Sequence, residues 1–287
     1  KVMGAIGSQI GQFIKRKQAE EELQRQHLIL QSELNQAAEY VRSRLPRPLT
    51  GRVTTQALFI PSLQLGGDAF DYYWLDADHL AIYLLDVAGH GVRSALLSVS
   101  VLNVLRSQSL PNTNFYQPSA VLRGLNRVFQ MSETGDDYFT IWYGVYNPVK
   151  RQLVYAGAGH PPALLLSEET FRQVGLAVPG ESVSSSTTPV KQLGAQGIPI
   201  GLLPEVDIDD DWCEIPVDST LYLLSDGVYE IQRPNGQIWG LNSFIDLLPD
   251  YQGKDFIKLE DLLDQIQFAT AKRDFEDDFS LLKIDFN

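Results

Sequence analysis

The spacing of hydrophobic residues changes near residue 46, and this change divides the sequence into two parts. Between about Ile10 and Leu45, no glycine follows Gly11 and no proline precedes Pro46, and most residues are strong helix formers. This part of the sequence therefore predicts one long helix that Pro46 ends.

The apolar residues of this helix follow an incomplete heptad repeat. Its a positions are Phe13, Glu20, His27, Leu34 and Val41, and its d positions are Leu23, Leu30 and Ala37. The repeat is apolar mainly in its second half, because Glu20 and His27 stand where coiled coils prefer Leu or Ile. Two interpretations stay open: a parallel pair of helices from two copies of the chain, and a single helix lying on its own domain.

After Pro46 the pattern alternates between strand and helix spacing. Short apolar runs at 80–85 and 220–224 are typical of buried strands, and residues 139–146 and 152–156 predict a hairpin. Helical spacing is found at Val92, Ala95, Leu96, Val99 and Leu102, then at Val121, Leu125, Val128 and Phe129, and finally at Phe256, Leu259, Leu263 and Ile266. The mixture predicts an α/β or α+β sandwich, and polar residues 180–197 predict a flexible surface loop without catalytic residues.

Composition excludes several classes of function. The 287 residues are 44% hydrophobic, which is enough for a full core, and 23 Lys and Arg against 36 Asp and Glu give a net charge of -13. Such a charge repels nucleic acid and anionic lipid, so we expect neither as a partner. The lone Cys213 cannot form an internal disulfide, which favours a cytoplasmic location. The sequence opens inside an amphipathic stretch, from which we expect a longer natural protein.

Acidic residues recur beside glycines and sharp turns. The four segments are Gly66-Gly67-Asp68-Ala69-Phe70-Asp71, Asp86-Val87-Ala88-Gly89-His90-Gly91, Ser225-Asp226-Gly227 and Glu276-Asp277-Asp278-Phe279-Ser280. In the second and third, an apolar strand delivers an aspartate to its end, and glycine lets the chain turn away. Each segment alone is typical of an ordinary turn. Together they predict a site for hard cations such as Mg²⁺ and Mn²⁺, which take carboxylate oxygens and keep several waters.

These segments, with those between them, resemble a known family. The succession LGGDAFDYY, LLDVAGHGVRSALL, FTIWYGVYN, LVYAGAGHPPALLL, GIPIGL, LYLLSDGVYE and EDDFSLL is similar to the bacterial SpoIIE and RsbU branch of the PPM phosphatases. The similarity covers about Leu45 to Ile284 in the family's order. It implies an α+β fold, the αββα sandwich, in which two antiparallel sheets are flanked by helices. It also implies a serine/threonine phosphatase with two Mn or Mg ions at one edge of the sandwich.

The resemblance also implies roles for individual residues. Asp68 bridges both metals, Asp86 binds one of them together with the backbone carbonyl of Val87, and Asp226 and Asp277 bind the second. Asp277 is preferred to Asp278 because the family's ligand is the first residue of this pair, which leaves Asp278 in a supporting role.

Three further residues are weaker candidates. His90 has two open roles, as a general acid and as a stabiliser of the turn, because Ala88 and Gly89 separate it from Asp86 more widely than in eukaryotic relatives. Asp71 is a candidate for orienting bound water, and His160 is expected to be structural. The arginine that holds phosphate in eukaryotic members has no counterpart near the start of this domain, so we expect the metals to hold phosphate.

The N-terminal residues also resemble part of a known module. Residues 4–17 look like the exit helix of a GAF sensor domain, so the expected organisation is a helical linker at 1–45 and a phosphatase domain at 46–287. The expected partners are a second copy of the chain, bound through the helix, and a phosphorylated STAS-domain anti-sigma-factor antagonist as substrate. Two other hypotheses stay open: a catalytically silent module that binds a partner, and a hydrolase of small phosphorylated metabolites.

Overall fold

A computed structural model describes residues 2–131, 138–167, 190–194, 197–248 and 258–287. The chain forms two compact units, residues 1–43 and 44–287. The first contains helix α1 (Val2–Arg42), which confirms the predicted long helix but begins before Ile10 and ends before Leu45. It ends at Arg42 because Pro46 lacks the N–H that would bond to the carbonyl of Arg42, and the proline ring clashes with that carbonyl.

Several apolar side chains of α1 are exposed. Phe13 is 67% exposed, Leu23 68% and Leu30 55%, and all three belong to the predicted heptad seam. Helices usually bury such residues against another element. This exposure leaves the part of the seam from Phe13 to Leu30 available to a partner helix, whereas Val41 at the end of the seam is buried.

The second unit contains two five-stranded antiparallel sheets. The first sheet has the order β1 (Val53–Ile60), β10 (Phe279–Phe286), β9 (Ser219–Leu224), β6 (Ala163–Leu166) and β7 (Val190–Leu193). The second has the order β2 (Ala69–Trp74), β3 (Leu80–Val87), β4 (Phe139–Asn147), β5 (Gln152–Ala158) and β8 (Asp211–Glu214).

Helices cover the outer faces of both sheets. Helices α2 (Val92–Arg106) and α3 (Pro118–Val128) pack on the second sheet, and α4 (Leu241–Leu247) and α5 (Leu259–Thr270) share a core with the first. Strand β3 shows how the layers form: Ile82 and Leu84 point into the core between the sheets, whereas Tyr83 and Leu85 point toward α2 and α3. The architecture confirms the predicted αββα sandwich.

Most of the predicted elements are confirmed, but the prediction of a loop over residues 180–197 is partly wrong. Residues 190–193 form strand β7, which pairs with β6, and residues 180–189 and 195–196 lie outside the described residues. Phe256, which was predicted to belong to a helix, also lies outside them; α5 begins at Leu259. Within the described ranges, no helix combines the length and the apolar composition needed to cross a membrane.

Candidate metal centre

The second sheet places two aspartates at the ends of neighbouring strands. Asp68 immediately precedes β2, and Asp86 is the penultimate residue of β3. The two strands are antiparallel and Ala69 pairs with Leu85, so the start of β2 lies beside the end of β3. This register brings Asp68 next to Asp86.

The first sheet brings another two aspartates together in the same way. Leu224 at the end of β9 pairs with Leu281 of β10, and the N–H of Ser225 donates to the carbonyl of Ser280 at 3.0 Å. Beyond this bond the chain leaves the sheet on both sides, through Asp226 on one side and Asp277 on the other.

The two pairs of aspartates meet at one edge of the sandwich. Burial, followed by the charges of Asp226 and Asp277, raises the pKa of Asp86 from 3.8 to about 7. An aspartate of the second sheet therefore lies close to two aspartates of the first. We call Asp68, Asp86, Asp226 and Asp277 the carboxylate cluster; it contains all four acidic ligands that the sequence predicted.

Asp68 is the most deeply buried member of the cluster. Its side chain is 1% exposed, and neither of its carboxylate oxygens has a hydrogen-bond partner among the residues that the structure describes. Burial, followed by the charges of Asp86 and Asp278, raises its pKa well above 3.8, although the nearby hydroxyls of Ser225 and Ser280 act in the opposite direction. A buried carboxylate without partners is costly unless a cation or a proton neutralises it.

The carboxylate cluster fits small divalent cations in its chemistry. In the described part of the chain, no three His, Cys, Asp or Glu side chains converge tightly enough to hold a metal ion. Mg²⁺, however, needs only one or two carboxylates and completes its coordination with water and phosphate oxygens. The two unpartnered oxygens of Asp68 and the all-oxygen donor set therefore match Mg²⁺ or Mn²⁺.

Glycines serve the cluster in two different ways. Gly89 and Gly91, which follow Asp86, have φ angles of 83° and 93°, a region that other residues rarely adopt. Gly227 has no such angle, but a Cβ atom there would overlap the carbonyl oxygen of Asp278. Glycine is thus required at position 227, next to Asp226, because two backbone segments approach each other closely there.

Comparison with known proteins identifies the family. The profile of the family described as Stage II sporulation protein E (SpoIIE) matches residues 76–287. The chain belongs to the SpoIIE family.

One curated relative of this SpoIIE-family chain is an enzyme. Phosphoserine phosphatase RsbP of Bacillus subtilis is 26% identical over 259 residues, which are 88% of this chain and 57% of RsbP. The chain thus spans little more than half the length of this relative.

Solved structures confirm the fold of the SpoIIE-family domain. The SiaA-PP2C domain of Pseudomonas aeruginosa superposes with a TM-score of 0.73 at 21% identity, covering 91% of this chain and 98% of that domain. RsbX, solved in complex with magnesium, superposes with a TM-score of 0.56 at 14% identity and covers 84% of this chain and 99% of RsbX. Both likenesses show the PPM-type fold.

Asp71 of this SpoIIE-family chain lies in a different environment from the cluster. It forms an ion pair with Arg106, accepts the N–H of Tyr72 at 2.8 Å, and lies 3.5 Å from the hydroxyl of Tyr83. These partners belong to β2, β3 and α2. The structure thus gives Asp71 a role in joining α2 to the second sheet, and its role in orienting water stays a prediction.

The two histidines singled out from the sequence have contrasting environments. His90 is exposed in the turn between β3 and α2. His160 is 7% exposed, and its Nδ1 lies 2.8 Å from Oγ1 of Thr140, the β4 residue that pairs with Asp86. Burial lowers the pKa of His160 to about 3, so this ring is neutral. A neutral buried ring agrees with the predicted structural role of His160, and both roles of His90 stay predictions.

Proposed function

We propose that this chain is a metal-dependent phosphatase that removes phosphate from phosphoserine or phosphothreonine of a partner protein, with two Mn or Mg ions. The observation that carries the proposal is that Asp86 lies near Asp226 and Asp277 of the other sheet and beside Asp68, whose carboxylate oxygens have no hydrogen-bond partner among the described residues. When bound, two such ions supply an activated water and neutralise the phosphoryl oxygens. The relative RsbP, a phosphoserine phosphatase, supports this reaction class.

The distribution of charge supports a role for Asp86 in holding metal. Burial, followed by the charges of Asp226 and Asp277, raises the pKa of Asp86, and a side-chain interaction with Asp68 lowers it. All three other members of the carboxylate cluster therefore affect the pKa of Asp86. Burial, followed by the charges of Asp86 and Asp278, raises the pKa of Asp68. We therefore propose that Asp86 would hold a metal ion together with the carbonyl of Val87, and that Asp68, Asp226 and Asp277 would supply the other carboxylate ligands.

A covalent route through cysteine has no support in the structure. Cys213 is buried in the core between the sheets, and burial raises the pKa of its thiol to about 11. A thiol with such a pKa is protonated at neutral pH and is a poor nucleophile. Direct attack by water is therefore the mechanism that we propose.

Phosphate release from a phosphoserine peptide tests the function. With Mn²⁺, we expect steady turnover of a phosphopeptide or a phosphorylated STAS-domain protein and at least tenfold slower turnover of a panel of phosphorylated metabolites, as expected where binding to the rest of the substrate contributes to the rate. Faster turnover of a metabolite would favour the small-molecule hydrolase. No turnover of any phosphomonoester would favour the catalytically silent module.

We propose in addition that α1 links an upstream sensor of the GAF type to the phosphatase and pairs with α1 of a second copy. The exposed seam residues Phe13, Leu23 and Leu30 support pairing. The polar residues Glu20 and His27 at core positions are expected to keep the pair marginally stable, which suits a switch between two states.

Light scattering of the chain tests this pairing. We expect a weak, concentration-dependent dimer, and we expect Leu30→Glu with Leu34→Glu to give a monomer, because two charges at core positions of the seam oppose pairing. Glu33→Gln, which lies between them but outside the seam, is the matched control and should leave the dimer intact. A wild-type chain that stays monomeric at every concentration would contradict the proposal.

A further inference from the structure

Asp278, next to the predicted ligand Asp277, is itself almost fully enclosed by hydrogen-bond donors. Its side chain is 4% exposed. One carboxylate oxygen, Oδ1, accepts the N–H of Ser62 at 2.8 Å and the hydroxyl of Ser62 at 3.0 Å. The other, Oδ2, accepts the N–H of Gly67 at 2.6 Å and that of Asp68 at 3.4 Å. A carboxylate that already accepts four hydrogen bonds has little capacity left for a metal ion.

The donors belong to the loop that carries Asp68. This loop connects β1 to β2 and contains residues 61–68. A Cβ atom at Gly66 would lie 2.5 Å from Oδ2 of Asp278, so the loop backbone is pressed against the carboxylate. Charge-assisted bonds of this kind are stronger than neutral ones. The position of Asp68 therefore depends on Asp278, which lies far away in the sequence.

The backbone of Asp278 holds a second part of the centre. Its carbonyl accepts the hydroxyl of Ser225 at 3.0 Å, and the lack of a side chain at Gly227 lets the turn that carries Asp226 approach the same carbonyl. Its own N–H donates to Oδ1 of Asp277 at 2.8 Å. One residue thus contacts the segments that carry three of the four members of the carboxylate cluster.

We infer that Asp278 is the positioning residue of the metal centre: it binds no metal, and it fixes the loop of Asp68 against the segments of Asp226 and Asp277. The inference rests on the proposed function. It predicts that loss of Asp278 lowers the affinity for Mn²⁺ but has little effect on turnover at saturating Mn²⁺. A misplaced ligand weakens metal binding, whereas the chemistry at a filled site persists.

The experiment compares Asp278→Asn with the wild-type chain by calorimetric titration with Mn²⁺ and by turnover of a phosphoserine peptide at increasing Mn²⁺. The amide turns N–H donors toward the N–H groups of the loop, and we expect Mn²⁺ affinity to fall about 10–100-fold, as for other groups that orient metal ligands. At saturating Mn²⁺ we expect turnover within a factor of about three of wild type, the pattern of an interaction lost from binding rather than from the chemical step.

The matched control is Asp210→Asn, which removes a similar carboxylate elsewhere in the fold. Asp210 accepts the N–H of Ser119 at 2.6 Å and the hydroxyl of Ser119 at 3.0 Å at the start of α3. We expect both substitutions to lower the melting temperature of the metal-free protein, and only Asp278→Asn to weaken Mn²⁺ binding. If the role of Asp278 were purely structural, the two substitutions would have the same effect on Mn²⁺ affinity.

Gly66→Ala provides a second variant that keeps every charge, and it decides the question if Asp278→Asn does not fold. Its added methyl group would displace the loop from Asp278, so the same loss of Mn²⁺ affinity is expected. Unchanged affinity in a folded Asp278→Asn, or in Gly66→Ala, would overturn the inference, as would low turnover of Asp278→Asn at saturating Mn²⁺. A wild-type chain that binds no Mn²⁺ would instead overturn the proposed function itself.

Discussion

Asp226→Asn and Asp68→Asn are each expected to lower phosphatase turnover by more than about a hundredfold, beyond the effect of losing a group that only orients a ligand. Saturating Mn²⁺ should not restore it. The metal-free variants are nevertheless expected to be more stable than the wild type. Burial and the neighbouring charges of Asp277 and Glu230 raise the pKa of Asp226 to about 6, so removing its charge relieves repulsion in the folded state.

Glu230→Gln is the matched control for Asp226→Asn. Glu230 is exposed and its charge acts on Asp226, but it is not among the predicted ligands. The same loss of one negative charge should leave turnover within about twofold of wild type, as is usual for exposed charges. Substantial turnover in Asp226→Asn, or a metal-free variant less stable than the wild type, would contradict the assignment of Asp226 as a ligand.

Removal of metal is expected to abolish turnover completely and to make stability fall as pH rises. The pKa of Asp86 is about 7 in the folded protein, raised by burial and by neighbouring carboxylates from a value of 3.8. Between these two values the folded state holds more protons than the unfolded state, so raising the pH favours unfolding. We expect the melting temperature of the chelated protein to fall as the pH rises from 6.5 through the folded pKa of Asp86, about 7, and to level off by pH 8.5.

The lower limit of pH 6.5 avoids the range in which the protonation of His160 also changes stability. Its pKa is lowered from 6.5 to about 3 by burial, so it destabilises the folded state when the pH falls below 6.5 and contributes little above it. Added Mn²⁺ should restore turnover and reduce the decline, because a bound cation stabilises ionised carboxylates. Turnover that survives exhaustive chelation, or a chelated protein that becomes more stable at higher pH, would contradict the metal mechanism.

The sequence could predict candidate metal ligands at the ends of strands that are buried on both faces. Strands β3 and β9 are short apolar runs, and an aspartate with glycine nearby marks the exit of each. Such runs are recognisable without knowledge of their partners. For this reason Asp86 and Asp226 could be placed at strand ends before the fold was known.

The partners of these strands could not be predicted, because register is a long-range property. The sequence alone does not show that Ala69 pairs with Leu85, the register that brings Asp68 beside Asp86. The same limit applies to Asp71 and Asp278. Both are aspartates in acidic motifs. Only the position of Arg106 shows that Asp71 joins a helix to a sheet, and only the position of loop 61–68 shows that Asp278 contacts that loop.

The pairing of β1 with β10 has a consequence for synthesis on the ribosome. β1 lies at the edge of the first sheet, and its neighbour there is β10, which is translated long after it. The nascent chain therefore exposes the unpaired edge of β1 until β10 emerges, and long-range strand pairing of this kind is slow. Asp277 and Asp278 directly precede β10. A prematurely terminated polypeptide that lacks this segment would thus have neither a complete sheet nor a complete metal site, so partial translation products should be inactive.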